Sequence, residues 1–308
     1  MDQPIIFFGN ERLATGVSTT APTLQKLIDA KYNVAAVVLK NEPAASRNQR
    51  KLEVAELAAK HDIPVLMPTK LKDILPELKN YNATVGVLVA YGKIVPESVI
   101  ELFPAGIVNI HPSLLPLHRG PTPLESVILD GSDMTGVSLM QLAKEMDAGK
   151  VYAYSEFELD GTETKQRLAD ELIELGSEML LATLPRIVSG EITGVPQDDA
   201  RATYDKLISK EDGILDWNKP AEQLEREVRA YAGWPQSRTI LGDHAVIITE
   251  AKAEGGEGTP GELWRSGKNL GVYTAKGVLM LHKLKPAGKG EMTIEDFLNG
   301  YGKDLQEK

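Results

Sequence analysis

The 308 residues predict an α/β chain, a mostly parallel sheet covered by helices on both faces, followed by a smaller all-β part. Three observations lead there. Short, continuously apolar runs alternate with helix-periodic segments as far as about residue 190. The texture then turns Gly/Pro/Asp-rich in "SGEITGVPQDDARAT". Beyond it, several short strand-like runs fall within about 80 residues, the pattern of a small barrel or sandwich. The boundaries that follow are a first domain at 1–189, a linker at 190–206 and a second domain at 207–308.

The elements can be justified in chain order. "PIIFF" (Pro4–Phe8) is an apolar strand ended by Gly9, and "TLQKLIDA" (Thr23–Ala30) has helical spacing at Leu24, Leu27 and Ile28. "VAAVVL" (Val34–Leu39) is a second buried strand, "LEVAELAAK" (Leu52–Lys60) a helix and "IPVLMP" (Ile63–Pro68) a short strand. "VGVLVA" (Val85–Ala90) is a third long apolar run, and "PESVIELF" (Pro96–Phe103) opens with a proline suited to a first helical turn. Strands follow at "GIVNI" (Gly106–Ile110), "TGVSLMQL" (Thr135–Leu142) and "KVYAYSEFEL" (Lys150–Leu159), with a helix at "TPLESVILDG" (Thr122–Gly131). From about Thr164 to Val188 a long helix lines up Leu168, Leu172, Leu175 and Met179. In the last third, one helix (Glu222–Tyr231) precedes the strands "HAVIITEA" and "PGELW" and a hairpin, "NLGVYTAKGVLMLHKL", that turns at Gly277.

Composition excludes several function classes. With 42% hydrophobic and 25% charged residues a real core is expected. The chain has no cysteine, so disulfides, thiolate nucleophiles and Cys-based metal sites are ruled out. The net charge of −10 argues against a bulk nucleic-acid binder, although it is uneven: −8 over 1–206 and −2 over 207–308. No stretch approaches the roughly 18 apolar residues of a membrane span, and a soluble cytoplasmic protein is expected.

The motif search narrows the chemistry. A dinucleotide fingerprint would need G-x-G-x-x-G in "FFGNERLATG", where only Gly9 and Gly16 stand; a tight turn or a ligand loop of another kind remains. His111 and His118 are separated by Pro112 and Pro116 and cannot share a helix face, so no zinc site is expected. Asn109 and His111 lie two apart at a strand's end and point the same way, where open α/β sheets bind ligands. The same pattern also fits a turn-capping amide and a packed imidazole, and residue types alone leave both readings open. Asp147, in "MDAGKV", could orient a histidine or simply serve a turn.

Taken together, "NIHPSLLPLHRGPTPLESVILDG", "TGVSLMQL" and "MDAGKVY" resemble the signature of the folate-dependent formyltransferases. The residues that carry it are Asn109, His111, Ser113-Leu114-Leu115-Pro116, Arg119-Gly120, Thr135-Gly136-Val137 and Asp147-Ala148-Gly149; "VAYGKIVPESVI" (Val89–Ile100) fits as well. Three branches share this half, acting on glycinamide ribonucleotide, sugar nucleotides or methionyl-tRNA. "RATYDKLISKEDGILDWNKPAEQLEREVRA", "TPGELW", "GVLMLHKLKPAGKGEM" and "DFLNG" are similar to the linker, helix and C-terminal barrel of the methionyl-tRNA branch. The resemblance covers essentially the whole chain. It implies a Rossmann-like catalytic half followed by an OB-like β-barrel that meets tRNA.

The resemblance further implies formyl transfer from 10-formyltetrahydrofolate to the α-amine of initiator methionyl-tRNA, with no metal. Asn109, His111 and Asp147 would be catalytic. Ser113, Leu114, Leu115 and Pro116 would line the folate site, with Tyr91 and Ile94 nearby. Arg47 and Arg50 would meet the tRNA from the Lys40–Val54 segment, which is shorter than the family's and lacks its Pro-Val-Lys tail. Lys206, Lys210, Lys283, Lys285 and Lys289 would be phosphate contacts. A monomer is expected. The alternative is a sugar-nucleotide N-formyltransferase with the same folate donor; it leaves "KLKPAGKGEM" and "DFLNG" unexplained.

Overall fold

The computed structural model describes residues 3–41, 52–303 and 305. Two compact units divide the chain. The first is Met1–Leu124, Asp133–Leu159 and Arg167–Lys206; the second is Glu125–Ser132, Asp160–Gln166 and Leu207–Lys308. Residues 190–206 therefore group with the first unit.

Up to Val188 the elements run β1 (Ile5–Phe8), α1 (Pro22–Asp29), β2 (Val34–Val38), α2 (Glu53–Lys60), β3 (Val65–Leu66), α3 (Leu75–Asn80), β4 (Val85–Leu88), α4 (Glu97–Ile100), β5 (Ile107–His111), α5 (Pro123–Asp130), β6 (Met134–Gln141), β7 (Val151–Glu158) and α6 (Lys165–Val188). Seven strands form one sheet in the order β3-β2-β1-β4-β5-β6-β7. Pairs from β3 to β5 are parallel, whereas β5–β6 and β6–β7 are antiparallel. The expected α/β class is therefore observed, with two antiparallel strands at one edge.

Burial on both faces explains the continuous apolar runs. Ile5, Ile6, Phe7 and Phe8 are all fully buried. On one face, Ile6, Phe8, Val38, Leu88 and Ile107 pack with Leu71, Leu78, Val99 and Phe103. On the other lies α6: a Cβ on Gly176 would come within 2.6 Å of the Ile110 side chain. Helix α1 joins α6 there through Thr23 Oγ1 and Ser177 Oγ at 2.8 Å and Lys26 Nζ and Glu174 Oε1 at 2.6 Å. Each side chain such as Leu24 or Phe8 that is fully buried stabilises the unit by about 1.5–3 kcal/mol.

The turn after β1 resolves the reading of "FFGN". Gly9 has φ +114°, and a Cβ there would fall 1.8 Å from the Val89 carbonyl oxygen, so close strand-to-loop packing accounts for this glycine. Two residues on, Glu11 does the work of a helix cap. Ala21, at the N-cap of α1, offers no side-chain acceptor, and the Glu11 carboxylate takes the Thr23 and Leu24 N–H groups at 2.8 and 2.9 Å instead. Burial pushes the Glu11 carboxyl up to about 7, against the lowering effect of those hydrogen bonds.

The second unit carries α7 (Ala221–Ala230), β8 (Ser237–Leu241), β9 (His244–Glu254), β10 (Leu263–Ser266), β11 (Asn269–Tyr273), β12 (Val278–Pro286), β13 (Met292–Thr293) and α8 (Ile294–Tyr301). Its strands form an antiparallel sheet in the order β10-β11-β12-β9-β8, with β13 on β12. Gly277, at φ +87°, makes the expected β11–β12 turn. Leu224 and Val228 of α7 pack on Val246, Ile248, Leu270, Leu279 and Leu284, with Phe297 of α8 in the same core. An ion pair is buried here as well: Lys165 Nζ lies 3.2 Å from Glu125 Oε1 and donates to the Trp234 carbonyl at 2.7 Å. Burial lowers the Lys165 ammonium below its ordinary value, and Glu125 opposes that shift. Four elements, α3, β8, β13 and α8, have no counterpart among the sequence-based expectations. In α3 the reason is Pro76, which reads as a breaker yet sits in the first turn, where its missing N–H costs nothing.

Candidate functional site

The chain builds β1, β2 and β3 outward in one direction and resumes with β4 on the other side of β1. The loops leaving β1 and β4 stay joined, with the Asn10 and Glu11 N–H groups donating to the Ala90 and Val89 carbonyls; in open α/β sheets such a reversal of strand order is where ligands bind, beyond the carboxyl ends of the strands. β5 ends beside that point. Period two sets Ile107, Asn109 and His111 on one face of β5, and antiparallel register sets Met140 opposite Asn109 and Ser138 opposite His111.

Both polar side chains are buried, Asn109 to 6% and His111 to 4% exposure. Among the described residues the Asn109 amide makes no hydrogen bond, and its polar atoms are not among those sealed from solvent. An amide at the open tip of a largely buried residue is placed to bond a ligand. His111 is engaged on both ring nitrogens. Nε2 lies 3.0 Å from the His118 backbone carbonyl oxygen, and since a carbonyl only accepts, Nε2 carries the proton. Nδ1 is thereby turned to Asp147 Oδ1 at 3.9 Å, too far for a direct hydrogen bond but within ion-pair range. The other carboxylate oxygen of Asp147 accepts the Gly120 N–H at 2.8 Å. His118, Gly120 and Asp147 all have left-handed backbone, with φ of 56°, 117° and 50°. For His118 and Asp147 that is strain held by the surrounding bonds, a feature that concentrates at functional sites.

The loop after His111 is stitched to β6. Ser138 Oγ donates to the Ser113 carbonyl at 2.6 Å and accepts the Leu115 N–H at 3.0 Å. Ser113 Oγ donates to the Leu117 carbonyl at 2.7 Å. Gly136 leaves room for Leu114, whose Cδ2 would lie 2.6 Å from a Cβ there. So Ser113 and Leu115 are buried, while Leu114 and Pro116 keep a partly open surface.

The structure thus brings Asn109, His111, Asp147 and the 113–116 loop together in one unit. Tyr91 is buried at 2% exposure with its ring edge-on to Phe8, centroids 6.1 Å apart, while Ile94, on the loop after β4, is 87% exposed. Among the basic residues, Lys283 and Lys285 share an exposed face of β12, Lys289 occupies the turn after it, and Lys283 pairs with Glu250 at 2.7 Å. Lys210 is exposed in the second unit and Lys206 in the first. Arg47 and Arg50 lie outside the described residues. Sequence reasoning does not single out Ser138 or the His118 carbonyl. Ser138 has one signal, a hydroxyl inside an apolar strand; a backbone carbonyl has none. Two concavities, one at Leu78–Ala83 and Phe103 and one at Thr19–Pro22 and Asp170, include none of Asn109, His111 and Asp147 in their linings. Among the described residues, no group of three or more His, Asp or Glu could hold a metal ion and no helix is long and apolar enough to cross a membrane.

Two family models match this chain: "Formyl transferase" over residues 11–184 and "Formyl transferase, C-terminal domain" over 207–302. The methionyl-tRNA formyltransferase of Roseiflexus castenholzii is 37% identical over 307 residues, covering 97% of this chain and 96% of the relative. Among solved structures, WlaRD, a sugar 3N-formyl transferase, covers 94% of this chain and 99% of its own at a TM-score of 0.68 and 15% identity. HypX from Aquifex aeolicus, solved with tetrahydrofolic acid, matches 99% of this chain at a TM-score of 0.64 and 19% identity. This chain spans 48% of the length of HypX. At those identities the two structures establish the fold alone.

Proposed function

The chain belongs to the formyl transferase family, and from that premise we propose that it moves the formyl group of 10-formyltetrahydrofolate to the α-amine of methionine on initiator tRNA. The near full-length identity to a methionyl-tRNA formyltransferase supports the acceptor. One observation carries the chemistry: an unpartnered amide at the tip of the largely buried Asn109, on the same strand end as an imidazole that faces a carboxylate.

In this reading the amine nitrogen bonds to the formyl carbon, the bond from that carbon to folate N10 breaks, and charge builds transiently on the formyl oxygen. Asn109 Nδ2 donates to that oxygen. One such donor lowers the barrier by about 3–4 kcal/mol in a dry site. The attacking amine sheds a proton and N10 gains one. His111 Nε2 is occupied by the His118 carbonyl, which leaves Nδ1 as the nitrogen that handles the proton. The Asp147 carboxylate offsets the charge that the ring takes on, and its hold on Gly120 keeps it in place. The partly open Leu114 and Pro116, with exposed Ile94 on the neighbouring loop, offer apolar surface to the folate ring. Lys285 and Lys289, with Lys206, Lys210 and Lys283, serve as tRNA phosphate contacts, and the protein works in the cytoplasm as a monomer. A second domain starting at 207, after a linker at 190–206, is the part that meets the tRNA body.

A transfer assay with 10-formyltetrahydrofolate tests the reading against methionyl initiator tRNA, methionyl elongator tRNA and nucleotide-linked amino sugars. Product on the initiator species alone is the expected result. Formylation of a sugar with neither tRNA touched would keep the catalytic residues and overturn the acceptor.

A further inference from the structure

Among the described residues Arg119 is the largest fully buried side chain, at 1% exposure, and the catalytic roles above leave it unused. Its Nε and Nη2 both donate to Gln197 Oε1, at 3.1 and 2.8 Å. Nη2 also reaches Asp199 Oδ1 at 2.7 Å and Nη1 the Tyr204 hydroxyl at 2.8 Å. Because a guanidinium only donates, it settles which way the Gln197 amide faces. The amide nitrogen must then point away from Arg119, and it donates to the backbone carbonyls of Asp147 at 2.7 Å and Gly149 at 2.8 Å.

The turn that Gln197 grips has little freedom of its own. Asp147 is left-handed, and a Cβ on Gly149 would lie 1.7 Å from the Gln141 carbonyl oxygen. Arg119 also acts through its backbone. It precedes Gly120, whose N–H holds Asp147 Oδ2, and its own N–H and carbonyl bond to Thr203 and Asp205 at 2.9 and 2.8 Å. His118, whose carbonyl fixes the His111 ring, is anchored to the same segment through Thr203 Oγ1 at 2.7 Å and Asp205 Oδ1 at 3.1 Å. Both members of the His111–Asp147 pair are thus tied to one stretch of chain, Gln197–Asp205.

We propose that Gln197 and Arg119 are positioning residues for the His111–Asp147 pair: Gln197 holds the Asp147 turn by its backbone, and Arg119 holds Gln197. The inference rests on the reading of that pair as the proton-handling group. The Asp147 carboxylate sits 3.9 Å from the ring, so a small swing of the turn breaks the pairing.

The test uses the full-length protein with Gln197→Ala and, as a second variant, Arg119→Lys, which keeps the charge and loses the two-pronged geometry. Steady-state rates with both substrates are compared with the nitrogen NMR signals of the His111 ring in the free protein; Asp147→Asn serves as the reference. Gln197→Ala is expected to lower kcat about ten-fold or more with each KM within about three-fold, as a small misplacement of a reacting group does. It is also expected to move the His111 Nδ1 signal in the direction that Asp147→Asn moves it. Unchanged ring signals, or an unchanged kcat, would overturn the proposal. If Arg119→Lys does not fold, Gln197→Ala, at a half-buried position, carries the test. Should the wild-type protein formylate no methionyl-tRNA while the ring signals still shift, the functional reading falls and the positioning role stands.

Discussion

The Nε2 of His111 lies 3.0 Å from the backbone carbonyl oxygen of His118, which fixes the ring's tautomer and commits its other nitrogen to Asp147. A backbone carbonyl holds the proton on Nε2 without competing for charge. The imidazole is therefore a one-sided group, and the task of donating to a formyl oxygen passes to Asn109.

That division predicts the behaviour of Asn109→Asp, which keeps the shape and removes the N–H donor. Single-turnover transfer is expected to slow by about 100- to 1,000-fold with little change in folate affinity. A rate within three-fold of wild type would move the oxyanion donor elsewhere.

The stitched loop makes a separate prediction. Ser138→Ala removes the bonds to Ser113 and Leu115 and leaves buried backbone groups unpaired, at a cost of about 1–3 kcal/mol in unfolding free energy. The folate KM is expected to rise as the 113–116 loop loosens, which titration with a folate analogue measures directly.

Glu11 predicts a pH dependence of stability. Its carboxyl titrates near 7 in the fold and near 4.5 in the unfolded chain. The unfolded state releases this proton first, so stability is greatest below 4.5, declines as pH rises to 7 and is flat above. Between pH 5 and 7.5 this group alone removes about 2 kcal/mol. Urea unfolding at both pH values, compared with Glu11→Gln, isolates it; a wild-type loss no larger than the variant's would refute the assignment.

In the second unit, Glu125→Gln removes the carboxylate that lies 3.2 Å from the buried Lys165 ammonium. Breaking one side of a buried pair is expected to cost about 3–5 kcal/mol. Replacing both with Glu125→Gln and Lys165→Met should recover much of that loss, read as a double-mutant cycle in thermal unfolding.

For tRNA, Lys285→Glu with Lys289→Glu is expected to weaken binding and to flatten its salt dependence by roughly 0.7–0.9 logarithmic units per lost phosphate contact. Lys283 is the poorer choice because Glu250 already neutralises it. An unchanged slope would remove β12 from the tRNA surface.

Much of this protein is legible in its residue order because the relevant physics is local. Fully buried parallel strands demand unbroken apolar runs, so "IIFF", "VAAVV" and "IVNI" declare themselves, and period two alone places Asn109 and His111 on one side of β5. Asp147 reads locally as an orienting acid or a turn residue, and the family signature is what favours the first. What no local rule contains is the joining of groups far apart in the chain. His111 and Asp147 are 36 residues apart, and they meet only because β6 folds back antiparallel on β5 and the turn after it returns to the strand end. Gln197 is hidden for the same reason. Its stretch has a linker's composition, since glycine, proline and aspartate are favoured in any turn-rich backbone. Whether such a stretch hangs free or clamps a buried arginine depends on hydrogen bonds to residues some 50 to 80 positions away. Those bonds exist only once the sheet has set the distance, and that was decided by the tertiary structure.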